Sequence, residues 1–195
     1  ASLLRRMNDL AGAQLALKAS DAKGPGDGAT LRDLARVSEM RSDHQTAAQA
    51  WLGCTQVEGE HVEPLLHAAR AFEALGRGSE AIGLMRRALS LQPDNASLTA
   101  ALARANISAG EPLQALNHYA RALELDPTDA DLAWEAGEAS MRQGVLEEAL
   151  ELLQKAADLA PDRAEIRVSL GECQFRLGKM REARHTLAHR GFPGL

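Results

Sequence analysis

Aromatic residues are scarce in this chain: two tryptophans, one tyrosine and three phenylalanines, 3% of 195 residues, although 45% are hydrophobic. A core of stacked rings is therefore excluded. Alanine and leucine must fill the interior, a composition suited to helices that pack closely. Long apolar runs are missing too; nothing approaches 18 consecutive apolar residues, so no membrane insertion is expected. Basic charge is also short. Lys and Arg number 22 against 27 Asp and Glu, a formal charge of −5, which argues against nucleic-acid binding. The chain begins at Ala1 rather than Met and reads as a processed or excised piece. An upstream leader stays open, and the reading leans to the cytoplasm.

What the sequence does have is a beat. Alanines recur 34 residues apart at Ala13, Ala47, Ala81, Ala115, Ala149 and Ala183. Prolines keep the same register at Pro25, Pro93, Pro127 and Pro161, and glycines at Gly76, Gly110, Gly144 and Gly178. A fixed period of this length marks stacked supersecondary units rather than one globular core. Within Val62 to Asn95, apolar residues at helical spacing run from Glu63 to Leu75 and stop at Gly76-Arg77-Gly78. A second helical run, Glu80 to Leu91, ends at Gln92-Pro93-Asp94. Glycine suits the left-handed residue that closes a helix, and proline prevents continuation of the next one.

This grammar predicts an all-α helix–turn–helix solenoid with helix pairs at 29–57, 62–91, 96–125, 130–159 and 164–190. The units are a partial repeat and turn at 1–27, a degenerate repeat at 28–61, repeats at 62–95, 96–129 and 130–163, and a terminal repeat at 164–195, all in one solenoid domain. Cys54 and Cys173 then lie more than three periods apart, too far for the ~5.5–6 Å Cα separation a disulfide needs, and both read as small buried residues.

The motif positions are Gly137 or Gly171 in the first helix, Gly144 or Gly178 at the turn, and the alanine series. Tyr119 or Leu153 follows four residues after the alanine, then Ala88, Ala122 or Ala156, then the proline. In these residues the chain resembles the tetratricopeptide repeat family, over five full repeats and one partial. The resemblance implies a right-handed superhelix whose first helices line a concave groove. Departures are visible. The family's early aromatic positions carry Leu31, Leu65, Thr99, Ser140 and Gln174, with Phe72 the aromatic exception; Trp134 is displaced by one residue, and Gly59 stands where proline is expected. The family's carboxylate clamp for chaperone tails needs Lys and Asn where this chain has Arg32, Arg36, His67, Ser97 and Ala101, so that function is not expected.

Chemical motifs are thin. Gly24-Pro25-Gly26-Asp27-Gly28 has no preceding strand and no following Gly-Lys-Ser, so it reads as a turn rather than a phosphate loop. His185 and His189 lie four apart without a third ligand, and a solvated face is the better reading. The carboxylates pair with no nucleophile in a recognisable pattern. Asn95 and Asn106 match the glycosylation sequon, yet Asn106 falls inside a helix. No catalysis, cofactor or metal is expected.

Charge at repeated positions is more telling. A ladder of residues 34 apart runs Arg36, Arg70, Arg104, Glu138 and Glu172 along successive first helices. Arg32 and His67 extend it early, and Asp131, Trp134, Glu135 and Glu165 later. Residues 130–163 carry eight acidic and three basic side chains, net −5; residues 164–195 carry three and six, net +3. The ladder reads as a partner-binding groove in which arginines attract an acidic stretch and carboxylates a basic one. Trp134 is open to two readings, an amphipathic contact or core packing. The expected function is a scaffold that binds a peptide or extended protein segment. The resemblance leaves two alternatives: the interaction arm of a larger glycosyl- or sulfotransferase-type enzyme or secretion component, and a self-assembling scaffold, for which Leu3 and Leu4 of the partial repeat offer an apolar surface.

Overall fold

In the computed structural model, the structure describes residues 27–188 together with Gly12 and Leu15. The expected partial repeat at 1–22 with Leu3 and Leu4, the glycines at 24 and 26, and His189 lie outside the described residues. Every described element is an α-helix joined by short turns, with no strand among the described residues. The helices group into two compact units. Unit 1 contains α1 (Gly28–Met40), α2 (His44–Glu58), α3 (Val62–Ala74) and α4 (Gly78–Leu91). Unit 2 contains α5 (Ala96–Ser108), α6 (Pro112–Leu125), α7 (Ala130–Arg142), α8 (Leu146–Leu159), α9 (Ala164–Arg176) and α10 (Met180–Ala188). None of these helices is long and apolar enough to cross a membrane.

Local chemistry sets the helix ends. Asp27, Asp43, Asn95 and Asp129 each accept the backbone N–H three residues on, at 2.7, 3.1, 3.0 and 3.0 Å, and so satisfy an orphan donor of α1, α2, α5 and α7. Proline at the head of α6 costs no hydrogen bond, because the first-turn N–H has no intrahelical partner. The odd-numbered helices all close the same way. In α7 the Val145 N–H donates to the Ser140 carbonyl at 3.0 Å, and Gly144 turns the chain at φ 79°. The equivalent residue after α1 is Ser42, at φ 56°, where a Cβ costs about 1–2 kcal/mol. Gly59, standing where a proline was expected, ends α2 at φ 89°.

Packing follows from small residues. Ala47, Ala81, Ala115 and Ala149 on the second helices are fully buried, and so are Ala35, Ala69 and Ala103 on the first. In α7 the place of the latter is taken by Gly137, where a Cβ would stand 2.7 Å from Leu153 Cγ and 3.3 Å from Leu153 N. The α7–α8 crossing is so close that glycine is required. Around these crossings Ala100, Tyr119, Leu132 and Ala139 form one buried cluster, and Met141, Leu153, Leu170 and Cys173 another. Both thiols are buried; Cys54 Sγ lies 3.9 Å from the Gly28 carbonyl and Cys173 Sγ 3.4 Å from that of Leu146. Burial pushes the Cys54 thiol up to about 11 and raises that of Cys173, so neither is poised as a nucleophile.

Two glycines should respond oppositely to alanine. Gly83 on α4 meets nothing within 4 Å, so Gly83→Ala should stabilise by about 0.5–1 kcal/mol through helix propensity. Gly137→Ala gains the same propensity but overpacks against Leu153, an effect of about 1–3 kcal/mol, and should lower stability on balance. Urea unfolding of both variants checks this, and a stabilised Gly137→Ala would refute the close crossing.

Candidate functional site

Unit 2 gathers four residues of the charge ladder around one opening. Arg104 on α5, with Trp134, Glu135 and Glu138 on α7, lines a half-open cavity of ≈ 330 Å³. Ile107 and Ala139 supply apolar wall, Tyr119 from α6 closes the inner side, and Arg142 completes the rim. The odd-numbered helices bring these side chains together because residues 104 and 138 sit one 34-residue period apart, at equivalent points of successive first helices.

The charges are not bare. Arg104 Nη1 donates to Glu135 Oε2 at 2.7 Å, and Arg142 Nη2 to Glu138 Oε2 at 3.1 Å. The carboxylates are the more sheltered partners: the Glu135 and Glu138 side chains are 31% and 22% exposed, those of Arg104 and Arg142 51% and 62%. The Tyr119 hydroxyl donates to Glu135 at 3.4 Å, a long contact. Trp134 is packed and also reaches the cavity. It packs against the cluster of Ala133, Ala156 and Ile166, and its indole N–H donates to Ser169 Oγ on α9 at 2.9 Å, yet the ring still lines the cavity. The Arg163 guanidinium lies 5.3 Å from the ring centroid, a cation–π contact, and pairs with the Asp131 carboxylate.

The remaining expected groove residues have other settings. In unit 1, Arg32 is half-buried and binds Glu58 at 2.6 Å, and Arg36 pairs loosely with Glu63 at 3.6 Å. His67 stacks on Trp51 with centroids 4.6 Å apart, its Nδ1 2.9 Å from Glu39 Oε1. The same carboxylate oxygen accepts the Trp51 indole N–H at 2.8 Å. Arg70 is exposed and makes no ion pair among the described residues, and Glu172 is exposed on α9. A carboxylate 27 residues on meets Arg36, and one 31 residues on meets Arg104.

Tyr119 and Arg142 were missed as site residues. Tyr119 is a motif position of the repeat, four residues after Ala115, and its hydroxyl meets Glu135 because α6 packs on α7. The four-residue spacing of Glu138 and Arg142 on one helix is a signal that could have found the latter.

Three tetratricopeptide repeat family models match the sequence, over residues 62–105, 100–164 and 141–190. No protein of curated function matches it. Among solved structures it is similar to MamA, at 21% identity over 83% of this chain and 88% of that one with a TM-score of 0.74. MamA from Desulfovibrio magneticus RS-1 gives 22% identity over 85% and 94%, also with a TM-score of 0.74. YrrB, described as a repeat protein of this family with an unusual peptide-binding site, gives 20% over 92% and 88% with a TM-score of 0.68. These likenesses show the fold.

Burial, and then the Glu135 carboxylate, push the Tyr119 phenol up to about 12. Tyr119 is the single tyrosine, so its phenolate absorbance reports this site alone. The folded chain should titrate near pH 12 and the unfolded chain near pH 10. In that window the unfolded state has lost the proton and the folded state keeps it, so stability falls as pH rises between the two values. A folded-state midpoint at the unfolded value would contradict the burial of this hydroxyl.

Proposed function

This chain belongs to the tetratricopeptide repeat family, and we propose that it is a protein-interaction scaffold whose unit 2 holds an extended peptide segment of a partner against the first-helix face of α5 and α7. The observation that carries this reading is the half-open cavity where Arg104, Trp134, Glu135 and Glu138 converge. A cavity of this size accepts one or two side chains of a ligand, and the flanking ion pairs offer both signs of charge to whatever lies across them. The fold supports the proposal in a second way: a face built on packed helices is pre-organised, so the entropy cost of binding falls mainly on the peptide. The peptide-binding site described for YrrB is consistent with this use of the fold. A binding role rather than a catalytic one is favoured by the pairing of the cavity's charges with each other, which leaves no nucleophile beside a free base.

Exposed pairs such as Arg104–Glu135 contribute only about 0–1 kcal/mol to stability, so they can be rewritten without unfolding the chain. Peptides selected from a random display library on the whole protein supply the probe. The charge-exchanged double variant Arg104→Glu/Glu135→Arg keeps an ion pair and should keep the thermal midpoint. Its association with the selected peptides should slow by about tenfold or more, and wild-type association should slow with salt as screening sets in. Unchanged association of a folded double variant would place binding on another surface.

A further inference from the structure

The α7–α8 pair shows one face of a repeat when it is covered. Met141 on α7 and Leu153 on α8 are buried in one cluster with Leu170 and Cys173 of α9, and Trp134 and Leu146 pack against that cluster. At the same register positions one period on, α9 and α10 present Val168, Phe175, Met180 and Leu187, all between 53% and 58% exposed. Leu187 lies over Gly171, where a Cβ would stand 2.7 Å from its Cγ, and Val168 and Phe175 sit one helical turn to either side of that glycine. Met180 stands two turns before Leu187 on α10. Single exposed leucines are ordinary, but a contiguous apolar face marks a contact surface.

Two charges are set into this face. Glu172 falls between Val168 and Phe175, and Arg184 between Met180 and Leu187; both are exposed, and neither makes an ion pair or hydrogen bond among the described residues. The order and spacing are the same on both helices: Val168–Glu172–Phe175 and Met180–Arg184–Leu187 each run apolar, charged, apolar at steps of four and then three residues. The signs are opposite. Such a face is its own complement. A three-residue turn joins α9 and α10, which therefore run antiparallel. A two-fold rotation in the plane of the face then lays α9 of one copy along α10 of the other in the same direction. Glu172 meets Arg184 twice, and the apolar residues close on one another between the two contacts. This self-complementarity is what a two-fold dimer requires of its interface.

We propose that the α9–α10 face joins two copies of this chain in a two-fold dimer, with Val168, Phe175, Met180 and Leu187 as its apolar contact and reciprocal Glu172–Arg184 pairs fixing its register. The dimer does not depend on the Arg104–Trp134 cavity, which α5, α6 and α7 build. The apolar residues supply the attraction, and the charge pairs select the orientation.

Sedimentation velocity of the whole chain over a concentration series reads the association. The wild type should pass from monomer to dimer and stop there, with a dissociation constant of about 1 mM or tighter. Phe175→Glu should stay monomeric over the same range with helical circular dichroism intact. Glu172→Arg sets like charges together at residue 184, and Arg184→Glu does so at residue 172, so each alone should weaken the dimer by about tenfold or more. An equimolar mixture of these two variants should recover it, because both contacts in the mixed dimer again join opposite charges. A wild type that stays monomeric to about 1 mM would overturn the proposal. Growth past the dimer would do the same, since it means head-to-tail stacking. A folded Phe175→Glu that still dimerises, or a mixture no stronger than either variant alone, would also overturn it.

Discussion

Close crossing of two helices at residues without bulk is the constraint on which the rest of this protein depends. Ala103 meets the neighbourhood of Ala115 in one pair, and Gly137 lies against Leu153 in the next. Helices that approach this closely bury a narrow stripe and little else, so a single pair leaves most of its apolar surface uncovered. The following first helix supplies the missing wall: Met141 is buried together with Leu170 and Cys173 of α9. Stability is then assembled from pairs and nearest-neighbour interfaces rather than from one centre. That arrangement also turns equivalent residues of successive first helices to one side of the unit.

The groups carried there suit the proposed binding role. Charges stand at the surface in pairs that screen one another, so they add little to stability and remain adjustable. Apolar surface from Trp134, Ile107 and Ala139 lies between them. A mixed surface of this type is suited to the recognition of side chains by shape and complementary charge. On the other side of unit 2 the lining is different: Leu116, Leu123 and Leu152 dominate the cavity between α6 and α8. Cavities open on the two faces of the same helices, with Tyr119 a wall of both.

The helices were legible in the sequence because their punctuation is local. Gly144 forces the turn after α7 and Pro161 forbids extension of α8, and both effects act within a few residues. The site was legible in part. Arg104 and Glu138 stand out through their shared register, and the structure places both at one cavity. The partner of Arg104 was hidden, because Arg104 bonds Glu135, 31 residues away, which depends on side-chain reach across two helices and not on the period. Ser42 was hidden for another reason: its left-handed conformation is imposed by a turn whose other copies carry glycine. The side-chain oxygens of Asn106, Ser140 and Gln174 could be located by register, but that they lack a hydrogen-bond partner among the described residues is a property of packing.

The close crossing itself is tested most directly at Ala115, fully buried at the α5–α6 contact. Equilibrium unfolding of Ala115→Leu in denaturant measures what extra volume costs there. Crossing at small residues predicts a loss of about 1–3 kcal/mol, with secondary structure retained. Stability equal to that of the wild type would mean that the helices are free to separate, and would contradict the account.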